Sequence, residues 1–491
     1  MATVSELLAS RARERPGDAA FLSGPDGRTL TWGALAAHAE RWRAVPLGSR
    51  VGLAIADPLA FTAAYLGCLS AGLTAAPIDP RLTAPELAEV LARLRVDVLA
   101  TAEADAAIRP GIDVWQVEPA GPRKVWASTT AARPSDGAAL RPAVLLTSSG
   151  TTGRPKGIPL SEWQLLHAAH RVAGHHGFGP GERGYTPLPL FHVNAQVMGL
   201  LATVTSGASL VIDRRFDADA YWDRVEQYSP TWLNAVPAVL ASLAQRPGPR
   251  STGRVRFARS ASAPLPPATA LAFTERTGIG VLETYGMSEA AGQITANPVE
   301  AGARRTGSVG LPVGVELIVA APDGRPLGPG EEGEVLLRGP QIVDRYLELD
   351  AERPERTRAA RDAAGWLHTG DIGTLDEAGF LHLAGRADDV INRGGEKIYP
   401  QEVENVLLAH PAVAAVAVVG APHERLGQVP VAFVTTHQGI EAETLRAWCE
   451  QRLTRYKRPT VIEVTDALPL GPTGKVLRRA LRVELAGPRY R

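Results

Sequence analysis

Apolar positions recur along this chain with two different periods, and the switches between them outline its elements. VSELLASRARE, from Val4, sets apolar residues at helical spacing among charges, which predicts a short amphipathic helix. From Val51 to Pro80 short apolar runs alternate with Gly and Pro breaks, and residues 84–101 give a helix and then a strand, an α/β rhythm. AVLLTSS, from Ala143, is a continuous apolar run ending in hydroxyls and predicts a buried strand. Ser161, with Gln164 three residues on, forms a capping box that starts a helix running to His176. Strand and helix alternate again between Leu210 and Ala244. Beyond Gly307 the texture turns to short strands with tight turns, including a hairpin turn from Asp376 to Gly379. After Arg386 a new unit begins: a helix over 400–409, strands over 414–420 and 430–436, a helix over 443–453 and a strand over 460–464. The expected division is a first domain of residues 1–387 and a second of residues 388–491, with the boundary at Asp388.

Composition narrows the function classes. A chain of 491 residues exceeds one hydrophobic core. Its 45% hydrophobic content, with 52 basic against 52 acidic residues, is that of an ordinary soluble globular protein. Zero formal charge and the lack of a basic block argue against a nucleic-acid partner. No run approaches the ~18 apolar residues of a membrane span, and the N-terminus lacks the apolar core of a signal peptide, so a cytoplasmic location is expected. Cys68 and Cys449 stand apart from any ligand spacing and read as buried structural thiols. Lysine occupies only Lys124, Lys156, Lys397, Lys457 and Lys475 among the 52 basic positions. A chain that otherwise writes arginine keeps lysine where a compact ammonium on a flexible stem is wanted, so these positions become suspects. Lys124, with no motif around it, reads as a surface charge.

TSSGTTGRPKG, from Thr147 to Gly157, is the densest chemical stretch. A Walker A loop needs GxxxxGK[ST], but Pro155 stands where the second glycine belongs, and Pro469 replaces the first glycine ahead of GK at Gly474. A Rossmann glycine fingerprint is absent too. Hydroxyls, glycines that turn backbone N–H groups inward, and Lys156 still fit an anion nest, although a solvated polar loop has the same composition. Other motifs weigh in: YGMSE from Tyr285 joins an aromatic face to Glu289, TGD ends at Asp371, GRADD begins at Gly385, and GPTGK ends at Lys475. The histidines of HAAHRVAGHH have no carboxylate or cysteine ligand set beside them and read as helix-face residues.

In this order, TSSGTTGRPKG, PLPLFHVNA, RSASAPLPP, ETYGMSE, GWLHTGDIG, GRADDVINRGGEKIYPQEVE and YKRP resemble the adenylate-forming acyl-CoA synthetase family over nearly the whole chain. The family also holds luciferases and peptide-synthetase adenylation domains. The resemblance implies an α/β fold: a large N-terminal domain of two α/β subdomains plus a β-barrel-like subdomain, and a small mobile C-terminal α+β domain. It implies ATP, Mg²⁺ and CoA: a carboxylic acid is converted to acyl-AMP with release of pyrophosphate, and the CoA thiol then displaces AMP.

The same resemblance assigns nucleotide phosphates to Thr147, Ser148, Ser149, Gly150, Thr151, Thr152, Gly153 and Lys156, and the adenine to Ala263, Pro264 and Tyr285 with Gly286 and Met287 beside them. Ser288 and Glu289 are implied for phosphate and Mg²⁺, and Asp371 and Arg386 for the ribose. Lys475 is the implied adenylation lysine, bridging the carboxylate and the α-phosphate; His192 gates the acyl pocket, and Asp388 is the hinge. Val193, Asn194, Ala261, Thr284 and Gly286 are implied to line that pocket, and their small and polar character favours a short, polar or aromatic acid over a long fatty acid. Gly394 and Gly395 are implied for the pantetheine passage, and Lys397, Arg455, Lys457 and Arg458 for the CoA phosphates. Transfer to a carrier protein, an amine or another small nucleophile is the nearest alternative, and a noncatalytic nucleotide or acyl-ligand sensor a more distant one. Monomer and homodimer both stay open.

Overall fold

Strands whose neighbours run parallel must be covered on both faces, and the apolar runs of this chain have that character. The computed structural model describes residues 1–102, 112–118, 121–126, 141–149, 155–349, 356–437, 439–470 and 476–485. Six parallel strands, Val281–Met287, Phe257–Ser260, Trp232–Ala235, Arg183–Thr186, Ser209–Ile212 and Ala19–Ser23, lie side by side in that order at the centre of a nine-stranded sheet. A second nine-stranded sheet has a parallel centre of Val144–Ser149, Thr74–Pro77, Arg50–Leu53, Val98–Thr101 and Asp113–Glu118. The helix Pro58–Ser70 is buried almost all round. Asp57 caps it by accepting from the Ala60 N–H at 2.9 Å, and Pro58 supplies the fixed φ of its first turn.

The elements expected from periodicity are present. Helix Val4–Glu14 starts at a Thr3–Glu6 capping box, and helix Glu162–His176 starts at the Ser161–Gln164 box and ends at Gly177, whose φ is +66°. The Asp376–Gly379 turn joins Leu367–Leu375 to Leu381–Arg386; its carboxylate accepts from the Ala378 and Phe380 N–H groups. Those two strands belong to a four-stranded antiparallel sheet with Glu316–Ala320 and Gly333–Arg338. The last unit is an α+β module in which Val413–His423 and Gly427–Thr436 pair over their full length, flanked by helices Pro400–Leu408, Ala442–Glu450 and Arg478–Leu485. Its apolar cluster is its own. The chain is thus a two-domain α/β protein with a large N-terminal and a small C-terminal domain. Cys68 and Cys449 are buried free thiols, and Lys124 pairs with Asp113 at the sheet edge (2.5 Å). No helix among the described residues is long and apolar enough to cross a membrane.

Periodicity did not announce the segment after PLFHV. Asn194–Leu201 forms a π-helix, a rare conformation that is enriched at functional sites, and it packs fully buried residues such as Leu200 and Leu201 beneath the first sheet's strand ends.

Candidate functional site

The strand Val281–Met287 ends in a one-turn helix, Ser288–Ala290, and the chain returns antiparallel as Gly292–Ala296. This hairpin is tight enough to dictate a residue: a Cβ at Gly286 would lie 2.1 Å from the Gly292 carbonyl oxygen. The turn is pinned by the Val343 N–H donating to the Glu289 carbonyl (2.8 Å), and by the Gln341 amide donating to the carbonyls of Ala290 and Gln293. Glu289 is therefore buried and fixed, with Ser288 and Met287 partly covered beside it.

Across from it, Val144–Ser149 pairs with Pro155–Leu160, setting Thr147 opposite Gly157 and Ser148 opposite Lys156. The Lys156 ammonium reaches Glu289 Oε1 at 3.1 Å and sits 3.8 Å from the centre of the Tyr346 ring. The Tyr346 hydroxyl approaches the same carboxylate oxygen at 3.5 Å. Burial, and the Glu289 charge after it, push the Tyr346 phenol well above its usual range, so it stays a donor. Gly150, Thr151, Thr152 and Gly153 of the loop, and Lys475, lie outside the described residues.

At the other end of YGMSE, the Tyr285 hydroxyl donates to Asp371 Oδ2 at 2.5 Å while Arg386 donates to Oδ1 at 3.0 Å. Asp371 and Arg386 face each other on antiparallel strands, and the Asp371 N–H is held by the Thr369 hydroxyl. Burial works against the Arg386 charge, but the adjacent carboxylate outweighs it and keeps the guanidinium protonated. Burial first, then the Asp371 charge, push the Tyr285 phenol far up. Residues expected at adenine and ribose thus form one hydrogen-bonded group, four residues along the strand from Glu289.

The residues expected at the acyl pocket converge on the same strand ends. Ala261 and Thr284 are buried, with the Thr284 hydroxyl on the Ser260 carbonyl at 3.1 Å. Ala263 and Pro264 are exposed on the loop that follows Ser262, whose φ is +74°. His192 and Val193 lead into the π-helix; the His192 ring lies 4.3 Å from that of Phe191. Asn194 donates to the Ser262 hydroxyl at 3.1 Å and accepts from Arg259 at 2.9 Å.

Arg259 is the residue that motif reading passed over. It is 3% exposed on the strand Phe257–Ser260, and its guanidinium donates to Asn194 Oδ1 (2.9 Å), Asn234 Oδ1 (3.1 Å) and Gln293 Oε1 (3.4 Å). Every one of these acceptors is a neutral amide. Among the described residues no carboxylate lies within ion-pair distance of it. A buried ion without a counter-charge costs on the order of several kcal/mol, and burial draws the Arg259 guanidinium down to about 9, still protonated at neutral pH. Its sequence signals were an arginine inside FARS, an otherwise buried strand pattern, and its place as the first residue of RSASAPLPP, neither of which gave it a role. Asn234 and Gln293 carried no signal, because only the strand order brings them to the same guanidinium.

In the C-terminal domain, Asp388 lies in the one-turn helix Ala387–Asp389 that connects the last strand of the four-stranded sheet to Ile391–Arg393. Arg482 ties this turn to the C-terminal helix through Asp389 at 2.6 Å. Gly394 and Gly395 form a two-residue hairpin turn with φ of +59° and +95°, a conformation that itself calls for glycine. Lys397 and Arg455 are exposed. Lys457 is engaged by Glu402 (2.6 Å), and Arg458 by the carbonyls of Leu453 and Glu450. Of the helix-face histidines, His176 is fully buried with Nδ1 on the Val172 carbonyl at 2.9 Å, and His167 stacks on Trp163.

Comparison with known proteins places this geometry in context. The model of the AMP-binding enzyme family matches residues 8–347, and that of the AMP-binding enzyme C-terminal domain matches residues 402–475. A sulfoacetate–CoA ligase of Cupriavidus necator is 37% identical, the match covering 98% of this chain and 97% of that protein. ATP-bound MatB from Rhodopseudomonas palustris superposes with a TM-score of 0.85 at 29% identity, covering 100% of both chains. Apo MatB from the same organism gives 0.75 at 28% identity, covering 100% of this chain and 99% of its own. The o-succinylbenzoate CoA synthetase MenE of Bacillus subtilis, in complex with ATP and magnesium, gives 0.81 at 28% identity over 98% of this chain and 99% of that one.

Proposed function

Because the chain belongs to the AMP-binding enzyme family and is an AMP-forming acid:CoA ligase that uses ATP and Mg²⁺, we propose that its acid is short and polar and that the residues grouped above divide its two half-reactions. The observation that supports this reading is that Lys156–Glu289 and Tyr285–Asp371–Arg386 both attach to the end of the strand Val281–Met287 and the turn that follows it. Asp371 and Arg386 hold the ribose hydroxyls and Tyr285 offers its ring to the adenine beside Ala263 and Pro264. Lys156 takes the β- and γ-phosphates with the hydroxyls and N–H groups of the Thr147–Gly157 loop.

Glu289 suits Mg²⁺ because it is a buried carboxylate whose ion-pair partner in the structure, Lys156, carries its ammonium on a flexible stem. The bound ion supplies neutralisation of phosphate charge. With ATP bound, Lys156 would exchange Glu289 for the phosphates, and the freed carboxylate and the Ser288 hydroxyl would hold the Mg²⁺. Lys475 bridges the acid carboxylate and the α-phosphate, offsetting charge that grows during in-line attack. His192 and Val193 close the pocket over the acid, and Ala261, Thr284 and Gly286 form its walls.

For the second half-reaction we propose rotation about Asp388, with residues 1–387 and 388–491 as the two bodies and the four-stranded sheet as the barrel-like module beside the joint. The higher TM-score to ATP-bound than to apo MatB supports an arrangement of the adenylation type. Gly394 and Gly395 leave room for pantetheine, and Lys397 and Arg455, being exposed, suit the CoA phosphates better than Lys457 and Arg458, whose charges have partners in the chain. A cytoplasmic site of action follows from the cellular location of ATP and CoA. The test is ATP–pyrophosphate exchange with a panel of acids, followed by CoA. Exchange with short polar acids and CoA-dependent AMP release are expected; exchange confined to long-chain acids, or AMP release to hydroxylamine but not CoA, would overturn the reading.

A further inference from the structure

We propose that Arg259 is the binding site for a second anionic group on the acid, so that the substrate carries a carboxylate or sulfonate besides the carboxylate that is activated. This rests on the acid:ligase reading and deepens it. The guanidinium is held out of water by three amides that come from three elements: Asn194 at the head of the π-helix, Asn234 on the neighbouring strand, and Gln293 two strands away in the sheet order. None brings negative charge. A residue that only cross-linked these elements would do so as well without a charge; a guanidinium there is matched to planar or tripodal oxyanions.

Gln293 is the second observation. Its oxygen faces Arg259, which fixes the orientation of the amide, because the reverse would set N–H against N–H. Its Nε2 is then left buried with no hydrogen-bond partner, on a side chain 4% exposed. A buried guanidinium with an unspent amide donor beside it is an incomplete anion site.

Its position in the chain connects it to the acid. Arg259 lies four residues before Ala263 and five before Pro264, and Asn194 spans from the buried guanidinium to the exposed Ser262 at the start of that loop. Asn194 is among the residues assigned to the acyl pocket, so under that reading the end of the acid remote from its activated carboxylate meets Asn194. A terminal anion there displaces or joins the Asn194 oxygen and gives Arg259 the charge it lacks.

Two measurements decide it: thermal protection of the AMP-bound enzyme, and ATP–pyrophosphate exchange, each with malonate, succinate and sulfoacetate against the length-matched monoanions propionate and butyrate. At least one dianion is expected to protect at concentrations where the monoanions do not, and to exceed them about 10²-fold in kcat/KM, the size of effect seen for buried charge pairs. Arg259→Gln should erase that preference through KM. Should Arg259→Gln fold poorly, Asn194→Asp keeps the arginine, supplies an internal counter-ion, and should raise Tm while abolishing the preference for dianions. The proposal is overturned if monoanions protect as well as every dianion, or if both variants lower all acids equally. Exchange with monoanions but no dianion would reject the anion site and leave the ligase standing, whereas protection by a dianion without exchange or AMP release would uphold the site and reject the ligase reading.

Discussion

The two halves of the site treat buried charge in opposite ways. On the proposed nucleotide side the described charged groups stand in pairs of opposite sign: Lys156 with Glu289 at 3.1 Å, and Arg386 with Asp371 at 3.0 Å. On the acid side Arg259 has only amides. Paired charges make a stable resting site for a ligand that every member of the family shares, since the ligand exchanges one set of partners for another. An unpaired charge makes a site that is incomplete until its particular ligand arrives. Under the proposed function, the boundary between paired and unpaired charge divides ATP handling from choice of acid.

Substitutions on the proposed nucleotide side should cost the most activity. Lys475→Ala should lower adenylation on the order of 10³-fold yet leave thioester formation from supplied acyl-adenylate unchanged in single-turnover assays; equal loss of both steps would remove it from the first half-reaction. Glu289→Gln keeps the shape but not the charge, and should lower adenylation by about 10²-fold with a weaker dependence on Mg²⁺ concentration. Asp371→Asn should raise KM for ATP by about tenfold, the worth of one charge-assisted hydrogen bond, with the ranking of acids unchanged.

The smallest effect is read in stability. Glu283, on the strand beside Arg259, is the acidic counterpart of that arginine: burial pushes its carboxyl up to about 8. The folded state then holds a proton that the unfolded chain has released, so between the unfolded value of 4.5 and about 8 stability falls as pH rises. Each pKa unit is worth about 1.4 kcal/mol, so the slope is at most about 1.4 kcal/mol per pH unit. Glu283→Gln should flatten the fall of Tm with pH across this window; an unchanged profile would show that Glu283 titrates normally.

The scaffold was legible wherever local chemistry decides local structure. Ser161 with Gln164, and Asp376 with Gly379, are short-range devices, and both appear as expected. The residues assigned to the nucleotide came from motif order, but their partners did not: that Tyr285 would bond Asp371, or that Tyr346 would cover Lys156, depends on strands brought together from distant parts of the chain. The π-helix was missed because its period is neither of those that apolar spacing reveals. Arg259 was missed for a related reason. A strand reading treats a charge as an outward position, and only the sheet order discloses that this one faces inward toward Asn234 and Gln293.

The most direct test of the divided site is to rank a panel of acids and to measure KM for ATP in Asp371→Asn and Arg259→Gln side by side. Orthogonal responses are expected: Asp371→Asn shifts KM for ATP and keeps the acid ranking, while Arg259→Gln reorders the acids and keeps KM for ATP. A single variant that moves both quantities together by the same factor would contradict the divided site.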